Sequence, residues 1–315
     1  MEKSKKSQLI EAAKMYYLYD YNQSKIAEKL NVSRPTVSRL LYRAKAEGIV
    51  EIKVNDTEED SDQLAEIIQH RYNLKRVIVV DTPEEDDQRI KQYLGQQAAD
   101  FLDSIIEDNE IIGVTWGTTM YQVAKELKPK KMNNVRIVQM KGGVSHSETN
   151  THANEILYMF GQAFHTIPHH LPLPAIVDHV VVKQAMEADR YIKNILELGQ
   201  KATIAMYTVG TVKTESLLFQ LGYFKGEDTQ LISEKSVGDI SSRFFDGTGE
   251  ICSKELNSRT VGIELSELRK KKYSILIAGG AHKLAGIRGA LTGKYANVLV
   301  TDVHTAKELA KENKG

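Results

Sequence analysis

Four glycine-containing turns in this 315-residue chain carry the residue types best suited to ligand chemistry. They are Gly117-Thr118-Thr119, Lys141-Gly142-Gly143, Gly210-Thr211, and Gly279-Gly280 with Lys283 beyond it. A glycine turn that opens a helix leaves backbone N–H groups free for an anion, and nearby lysines neutralise its charge. Since glycine also serves tight turns for steric reasons alone, one such turn is weak support. The four together predict a site for a small anionic ligand.

The elements that must position these turns alternate between strand and helix from Lys75 onward. Apolar runs predict strands at Val77–Val80, Ile111–Thr115, Val135–Met140, Thr203–Thr208, Ser274–Ala278 and Asn297–Thr301. Amphipathic segments between them predict helices over Arg89–Ile106, from Gly117 to Leu127, over Thr151–Phe164 and Asp178–Leu198, and at the C-terminus. Buried strands that alternate with helices indicate a mostly parallel α/β sheet. Ligands of such sheets bind at the carboxyl ends of the strands, where the strand order reverses.

A different pattern occupies Gln23–Tyr42, with the sequence QSKIAEKLNVSRPTVSRLLY. It predicts two short helices joined by a tight turn, and Pro35 falls in the first turn of the second helix, where its missing N–H does no harm. In a helix-turn-helix the second helix enters the DNA major groove. The residues predicted to face outward for DNA contacts are Ser33, Arg34, Thr36, Ser38 and Arg39.

The flanking segments complete a DNA-binding domain over residues 1–54. A first helix is predicted at Gln8–Tyr19, and the alternating run Ile49–Val54 predicts a strand or wing. Residues 55–74 are interpreted as a linker, in which the apolar face of 61–72 either pairs with a second subunit or packs internally. Residues 75–315 form the predicted ligand-binding domain. Because reading a specific site usually takes two heads, a homodimer or larger oligomer is expected.

Charge is distributed unevenly although Lys+Arg 42 balances Asp+Glu 42. Residues 1–54 contain eleven Lys/Arg and six Asp/Glu, and residues 56–62 contain five acids and no base. The neutral whole excludes an indiscriminate polyanion binder, while the basic head fits DNA. Lys25, Lys45 and Lys53 are the expected neutralisers of DNA phosphates.

Several function classes lack support in the sequence. One cysteine, Cys252, excludes an intrachain disulfide, and the N-terminus lacks the apolar core of a signal peptide, so a cytoplasmic location is the default. The stretch Gly289–Tyr295 is too short for a Walker loop, and there is no GxGxxG. The histidines lack metal-ligand spacing, so no metal or other cofactor is expected. The histidines considered are His146, His152, His165, His169 and His170.

Seven stretches together resemble the SorC-type sugar-sensing transcriptional regulators over essentially the whole chain. They are QSKIAEKLNVSRPTVSRLL, GVTWGTTMYQVA, VQMKGGVSH, LPLPAIVD, VGDISSRFFD, VGIELSELR and ILIAGGAHKLAGIRGALTGKYANVLVTD. The resemblance implies an N-terminal helix-turn-helix and a Rossmann-like effector domain of the ribose-5-phosphate isomerase type. It also implies a phosphorylated sugar as inducer, operator DNA as partner, and a dimer or tetramer.

Carried over by motif, the resemblance also implies which residues hold the effector. The phosphate would lie at Gly117, Thr118 and Thr119. The sugar would lie near two further groups. These are Lys141-Gly142-Gly143, and Asp239 with the AGGAHK loop that contains Gly280 and Lys283.

Lys141 departs from relatives that sense ketose or bisphosphate ligands, which often have arginine before the two glycines. A partly buried lysine beside cations can have a lowered pKa and attack an aldehyde, which an arginine cannot. We therefore hypothesise a Schiff base between Lys141 and the open-chain aldehyde of a pentose 5-phosphate, with deoxyribose 5-phosphate first among the candidates. A lysine that simply pairs with phosphate is the alternative.

The leading functional hypothesis is a DNA-binding regulator that is controlled by a phosphorylated sugar and represses a sugar or deoxyribonucleoside catabolic operon. The rival is an isomerase or aldolase-like enzyme with an accessory head, for which Lys141 would be joined by Asp239 or Asp246 as a base. No second acid/base partner stands at a defensible spacing, so we do not expect an enzyme. Constitutive DNA binding would leave the α/β body without a role.

Overall fold

The computed structural model of the protein describes residues 2–50, 59–82, 86–144, 150–212, 219, 224 and 226–311. The chain forms two compact units, Met1–Glu58 and Glu59–Gly315. Their division therefore lies before residues 59–74, which the sequence analysis assigns to a linker.

The first unit consists of three helices, α1 (Glu2–Tyr17), α2 (Gln23–Lys29) and α3 (Arg34–Ala46). Both short helices begin at a capping side chain, because Asn22 accepts from the Lys25 amide and Ser33 from the Thr36 amide. Their small core is formed by Ala12, Ile26, Val37 and Leu41. The first helix starts earlier than predicted and ends two residues sooner.

The predicted wing falls largely outside the described residues. Only Ile49 and Val50 of that segment are described, and they pack beside Leu9, Ala13 and Ala44.

The second unit opens with α4 (Glu59–Tyr72), which packs internally through its apolar face. Ile68 is fully buried in the core and Leu64 packs beside it. The Arg71 guanidinium donates to the carbonyls of Leu309 and Lys311 at 2.6 Å each. Ile67 alone of the predicted apolar face remains exposed. This helix is thus part of the body rather than a free spacer.

Eight strands are described. They are β1 (Arg76–Val80), β2 (Ile111–Val114), β3 (Arg136–Gln139), β4 (Ile204–Tyr207), β5 (Gly238–Ile240), β6 (Arg243–Phe245), β7 (Tyr273–Ile277) and β8 (Val298–Asp302). Six of them form one sheet in the order β1-β8-β7-β4-β2-β3, and every pair in it is parallel. The predicted α/β class and all six predicted strands are confirmed, with ends that move by at most one residue.

Helices connect these strands. They are α5 (Asp87–Ile105), α6 (Thr118–Glu126), α7 (Ala153–Ala163), α8 (Val180–Glu187), α9 (Arg190–Lys201), α10 (Gly226–Lys235), α11 (Lys254–Arg259), α12 (Leu265–Leu268), a 3-10 turn (Ala281–Lys283), α13 (Leu284–Thr292) and α14 (Val303–Ala310). The prediction of one helix over Asp178–Leu198 is wrong. The Asp189 carboxylate accepts from the amides of Tyr191 and Ile192 and so starts a new helix.

The sheet is buried on both faces. Ile204 and Met206 of β4 point into one core cluster, whereas Ala205 and Tyr207 point into the other. This is the alternation that a pleated strand requires, and it explains why the strands read as continuous apolar runs. Among the helices described above, none combines the length and apolarity needed to cross a membrane.

The hairpin of β5 and β6 was not predicted, because three-residue strands are too short to show an alternating pattern. Its turn contains Ser241 and Ser242 at φ 55° and 65°. Two successive positive φ angles define the type I′ turn that matches the twist of a hairpin.

The strand order reverses between β2 and β4. From β2 the chain moves outward to β3, and from β4 it moves the other way to β7 and β8. The carboxyl ends of β2 and β4 therefore flank the crevice where such sheets bind ligands.

Candidate functional site

A cavity of about 220 Å³ opens at this crevice between β2 and β4. Its walls come from the ends of three sheet strands, the β5–β6 hairpin, α5 and the 3-10 turn. The lining residues are Lys91, Thr115, Trp116, Gly117, Thr118, Thr119, Lys141, Thr208, Val209, Gly210, Thr211, Asp239, Ser241, His282 and Lys283. We call this cavity the switch-point pocket.

One end of the switch-point pocket is the N-terminus of α6. Gly117 caps this helix at φ 136°, a conformation that favours glycine, and no side chain caps the helix. The first amides of a helix have no intrahelical acceptor, so those following Gly117 are available to an anion. The hydroxyls of Thr118 and Thr119 belong to the same wall. This end of the pocket suits a phosphate group.

Lys141 also lines the pocket and is 6% exposed. Its Nζ lies 3.8 Å from the centre of the Trp116 ring, and the Trp116 indole donates to the Gly142 carbonyl at 2.7 Å. Burial lowers the pKa of the Lys141 ammonium, and the nearby Asp239 opposes that shift. A larger share of Lys141 is thus the neutral, nucleophilic amine than for a lysine in water.

Asp239 is the carboxylate in the lining of this pocket, and its position is fixed by backbone contacts. The Ser242 amide donates to its Oδ2 at 2.9 Å, and its own backbone pairs with Gly210 in both directions. A Cβ at Gly210 would collide with Asp239 Oδ1. Burial raises the pKa of Asp239, although Lys141 and the Ser242 amide oppose the rise.

The rim toward α5 is cationic. Burial and Lys91 lower the pKa of Lys283 to about 8, and its Nζ lies 3.4 Å from the Thr208 hydroxyl. Asp87 pairs with Lys91 at 2.5 Å and lies 3.6 Å from His282. The pocket thus combines the free amides of a helix N-terminus, a buried lysine amine and further cationic side chains.

Six of the nine residues predicted to hold an effector line this pocket. They are Gly117, Thr118, Thr119, Lys141, Asp239 and Lys283. The structure does not bring Gly142, Gly143 or Gly280 into the lining. A Cβ at Gly142 would meet the Pro174 carbonyl, and Gly143 pairs with the same segment. Gly280 borders a neighbouring cavity, and its amide donates to Asp302 and Thr305.

Sequence reasoning did not single out seven of the lining residues, namely Lys91, Thr115, Trp116, Thr208, Val209, Ser241 and His282. Trp116 directly precedes the Gly117 turn, and His282 directly precedes Lys283, so the span of the turns was read too narrowly. Lys91 lies on α5, a helix that was predicted from its amphipathic pattern but not as part of a site. Ser241 lies in the β5–β6 hairpin, which was not predicted.

The residues predicted for DNA contacts lie at the start of α3. Arg34, Ser38 and Arg39 are exposed. The hydroxyls of Ser33 and Thr36 lie 2.8 Å apart, and Ser33 caps the helix, so both also hold its first turn. Lys25 and Lys45 are described, with Nζ atoms 4.4 Å and 5.8 Å from the ring centres of Tyr21 and Tyr17. Lys53 lies outside the described residues.

Comparison with known proteins defines the class. The sequence model of a sugar-binding domain, Sugar-bind, matches residues 56–311. The chain is 50% identical over 312 residues to the deoxyribonucleoside regulator of Bacillus subtilis, covering 99% of this chain and 100% of that protein. It is 30% identical to the sorbitol operon regulator of Klebsiella pneumoniae, covering 96% and 97%. The crystal structure of full-length SorC from Klebsiella pneumoniae superposes with a TM-score of 0.79, at 29% identity and 96% and 98% coverage.

A parallel α/β body with a pocket at its switch point, preceded by a helix-turn-helix, defines a ligand-binding transcriptional regulator. The chain belongs to the SorC-type family of sugar-binding transcriptional regulators. These relatives are named as regulators, and the same holds for this chain rather than the enzyme alternative.

Proposed function

We propose that this protein is a repressor of a sugar or deoxyribonucleoside catabolic operon, and that a phosphorylated sugar, deoxyribose 5-phosphate, releases it from operator DNA. The observation that carries this proposal is that the buried Lys141 and the uncapped N-terminus of α6 line one pocket. The relative named as a deoxyribonucleoside regulator, 50% identical over its full length, supports the choice of effector.

The ligand's phosphate would bind at Gly117, Thr118 and Thr119, where free amides and the helix dipole favour a dianion. Lys283 would add a positive charge to the same pocket. The sugar would then extend toward Lys141 and Asp239. Gly142, Gly143 and Gly280 do not line the pocket. In this proposal they shape the loops around it instead.

In this binding mode, the neutral Nζ of Lys141 would attack C1 of the open-chain aldehyde of the sugar phosphate. The resulting carbinolamine loses its hydroxyl as water, after taking up a proton, and the product is an imine between Nζ and C1. The pocket favours this step because burial keeps part of Lys141 deprotonated.

Borohydride trapping tests the imine directly. The protein is incubated with deoxyribose 5-phosphate and borohydride, and the lysine peptides are then mapped by mass spectrometry. We expect a stable secondary amine at Lys141 and none in Lys141→Met. An unmodified Lys141 in a protein that still binds the sugar phosphate would leave only the phosphate-pairing role.

On DNA, a homodimer or tetramer would present two α3 helices, with Arg34, Thr36, Ser38 and Arg39 at bases or phosphates and Lys25 and Lys45 at the backbone. A ligand that favours the non-binding arrangement by a few kcal/mol shifts occupancy appreciably. A DNA sequence selected by the protein from a random pool supplies the probe. Fluorescence anisotropy should show release by deoxyribose 5-phosphate and not by inorganic phosphate, and bound DNA that ignores every sugar phosphate would refute effector control.

A further inference from the structure

Arg243 is a deeply buried charged residue on the hairpin that carries Asp239, with a side chain that is 0% exposed. It makes five hydrogen bonds. Their acceptors are the Ile263, Asn257, Thr260 and Gly262 carbonyls and the Asn257 side chain, at 2.6–3.3 Å. Glu264 completes the set at 2.7 Å. Every partner lies within residues 257–264, which we call the clamp segment.

The clamp segment pairs with the backbone on both sides of the Lys141 side chain. The Ile263 amide donates to the Met140 carbonyl at 2.8 Å, and the Gly142 amide donates to the Val261 carbonyl at 3.2 Å. Between them Gly262 bridges to Lys141, and a Cβ at Gly262 would meet the Met140 carbonyl. The position of Lys141 is therefore set by the clamp segment.

Arg243 also begins β6, so it is tied to the hairpin that carries Asp239. Ile240 pairs with Arg243 across the hairpin, and the turn between them holds two non-glycine residues at positive φ. Such a turn costs free energy and persists where its surroundings fix both strands. The Ser242 amide of this turn in turn holds the Asp239 carboxylate.

We infer that Arg243 is a positioning residue, which locks the hairpin of Asp239 to the clamp segment and so sets where the Asp239 carboxylate lies relative to the Lys141 amine in the pocket that both line. The contacts form a continuous series that runs from the Lys141 backbone through the clamp segment, Arg243 and the hairpin to Asp239. The rigid five-donor fork of arginine suits this task, because a lysine could not reach so many acceptors at once. Burying a guanidinium costs free energy, because the charge is removed from water. An apolar side chain of similar size would fill the same space without that cost.

The test needs no ligand, so its failure is distinguishable from failure of the proposed function. Trp116 is the single tryptophan of the chain, and the Lys141 Nζ lies over its ring, so its emission reports Lys141 ionisation. Emission is titrated against pH, and the curve of Lys141→Met is subtracted to remove other groups. Those groups in the lining are Lys91, Asp239, His282 and Lys283.

We expect Asp239→Asn to lower the pH midpoint of the Lys141 titration, because the Asp239 carboxylate favours the protonated amine. The expected shift is about one pH unit, as for one nearby opposite charge. Arg243→Met should move the midpoint in the same direction, and the double variant should move it no further than Asp239→Asn alone. Arg243→Lys should remain defective. The inference is overturned if Arg243→Met or Arg243→Lys keeps the wild-type midpoint, or if the two shifts add.

Arg259 supplies the matched control, since it is a second buried arginine on the clamp segment. It bonds to Asp228 at 3.0 Å and 3.2 Å and does not bond to the hairpin of Asp239. Arg259→Met should leave the Lys141 midpoint unchanged even where it lowers stability. A shift equal to that of Arg243→Met would show a general loosening and overturn the inference.

Asn257→Ala provides a milder variant should Arg243→Met fail to fold. It removes one acceptor, 2.6 Å from the guanidinium, and leaves the arginine in place. A shift of the same sign as that of Asp239→Asn supports the positioning role, and an unshifted midpoint contradicts it. Competitive acetylation of Lys141 at several pH values, read by mass spectrometry, measures the same ionisation independently of fluorescence.

Discussion

At the scale of single residues, the chemistry of the pocket depends on what surrounds Lys141 rather than on the lysine alone. Trp116 contributes a ring face to the amine and a hydrogen bond to the next carbonyl. A lysine that is exposed to solvent is protonated at neutral pH and therefore unreactive toward an aldehyde. Burial makes Lys141 a candidate nucleophile because it lowers the pKa of the Lys141 ammonium, whereas the Asp239 carboxylate opposes that shift.

Replacing Trp116 with phenylalanine should keep the ring face and lose the hydrogen bond. The Gly142 carbonyl would be left buried without that donor, which costs about 1–3 kcal/mol. Urea unfolding followed by circular dichroism should therefore show a lower midpoint. A variant as stable as the wild type would show that the indole N–H bond contributes nothing.

Lys283 predicts the pH dependence of phosphate binding. Its pKa is lowered to about 8, so it is mainly protonated below pH 8 and mainly neutral above it. Since a phosphate favours the protonated form, affinity should fall as pH rises through 8, by up to about tenfold per unit.

Calorimetry with 2-deoxyribitol 5-phosphate measures this dependence without imine formation, because that molecule has no aldehyde. Lys283→Gln should bind more weakly and lose the dependence near pH 8. An equally steep profile in Lys283→Gln would assign the titration to another group.

At the scale of elements, the pocket is built where short pieces of backbone approach each other closely. The turn after β4 and the β5 strand pair through Gly210 and Asp239, an approach that leaves no room for a side chain on Gly210. The Gly210-Thr211 turn was predicted as a possible anion cradle. Its glycine has in addition this steric role, which only the neighbouring hairpin makes visible.

Gly210→Ala should therefore disturb the pocket. The new methyl would press on Asp239 Oδ1, and overpacking of this kind typically costs about 1–3 kcal/mol. We expect a lower unfolding midpoint together with weaker sugar-phosphate binding. Gly226→Ala is the matched control, because none of the described residues that pack around it comes within 4 Å of its added methyl. Equal effects of the two substitutions would contradict the steric account.

At the scale of the whole molecule, the body begins at α4. This helix buries Ile68 completely and ties Arg71 to the C-terminal helix, so it completes the core of the sugar-binding unit. The match of the sugar-binding domain from residue 56 agrees with that division. The predicted linker of residues 55–74 thus contains α4, which belongs to the second unit.

A fragment of residues 56–315 should fold cooperatively, and a fragment of residues 75–315 should be less stable by several kcal/mol. Loss of α4 uncovers Ile68's contacts, and removing one large buried side chain already costs about 2–5 kcal/mol. Thermal unfolding of the two fragments measures the difference. Equal unfolding temperatures of the two fragments would show that α4 does not stabilise the body and serves only as a spacer.

The sequence by itself determined the helix-turn-helix, the parallel α/β class and the six strands of the sheet. These features follow from local signals, such as the Ser33 cap, the 3.6-residue period and continuous apolar runs between glycine turns. It also pointed to Lys141, because a lysine stands before the two glycines where resembling regulators often have arginine, and a lysine can attack an aldehyde.

Only the tertiary structure decided which of these residues meet. The order of strands places the ends of β2 and β4 beside each other and leaves Gly142, Gly143 and Gly280 outside the pocket lining. The same folding brings Asp239 and Arg243 to Lys141 from about a hundred residues away, on a hairpin with no sequence pattern. Local patterns fix local conformation, whereas contacts between distant segments depend on strand order and packing, which no local pattern encodes.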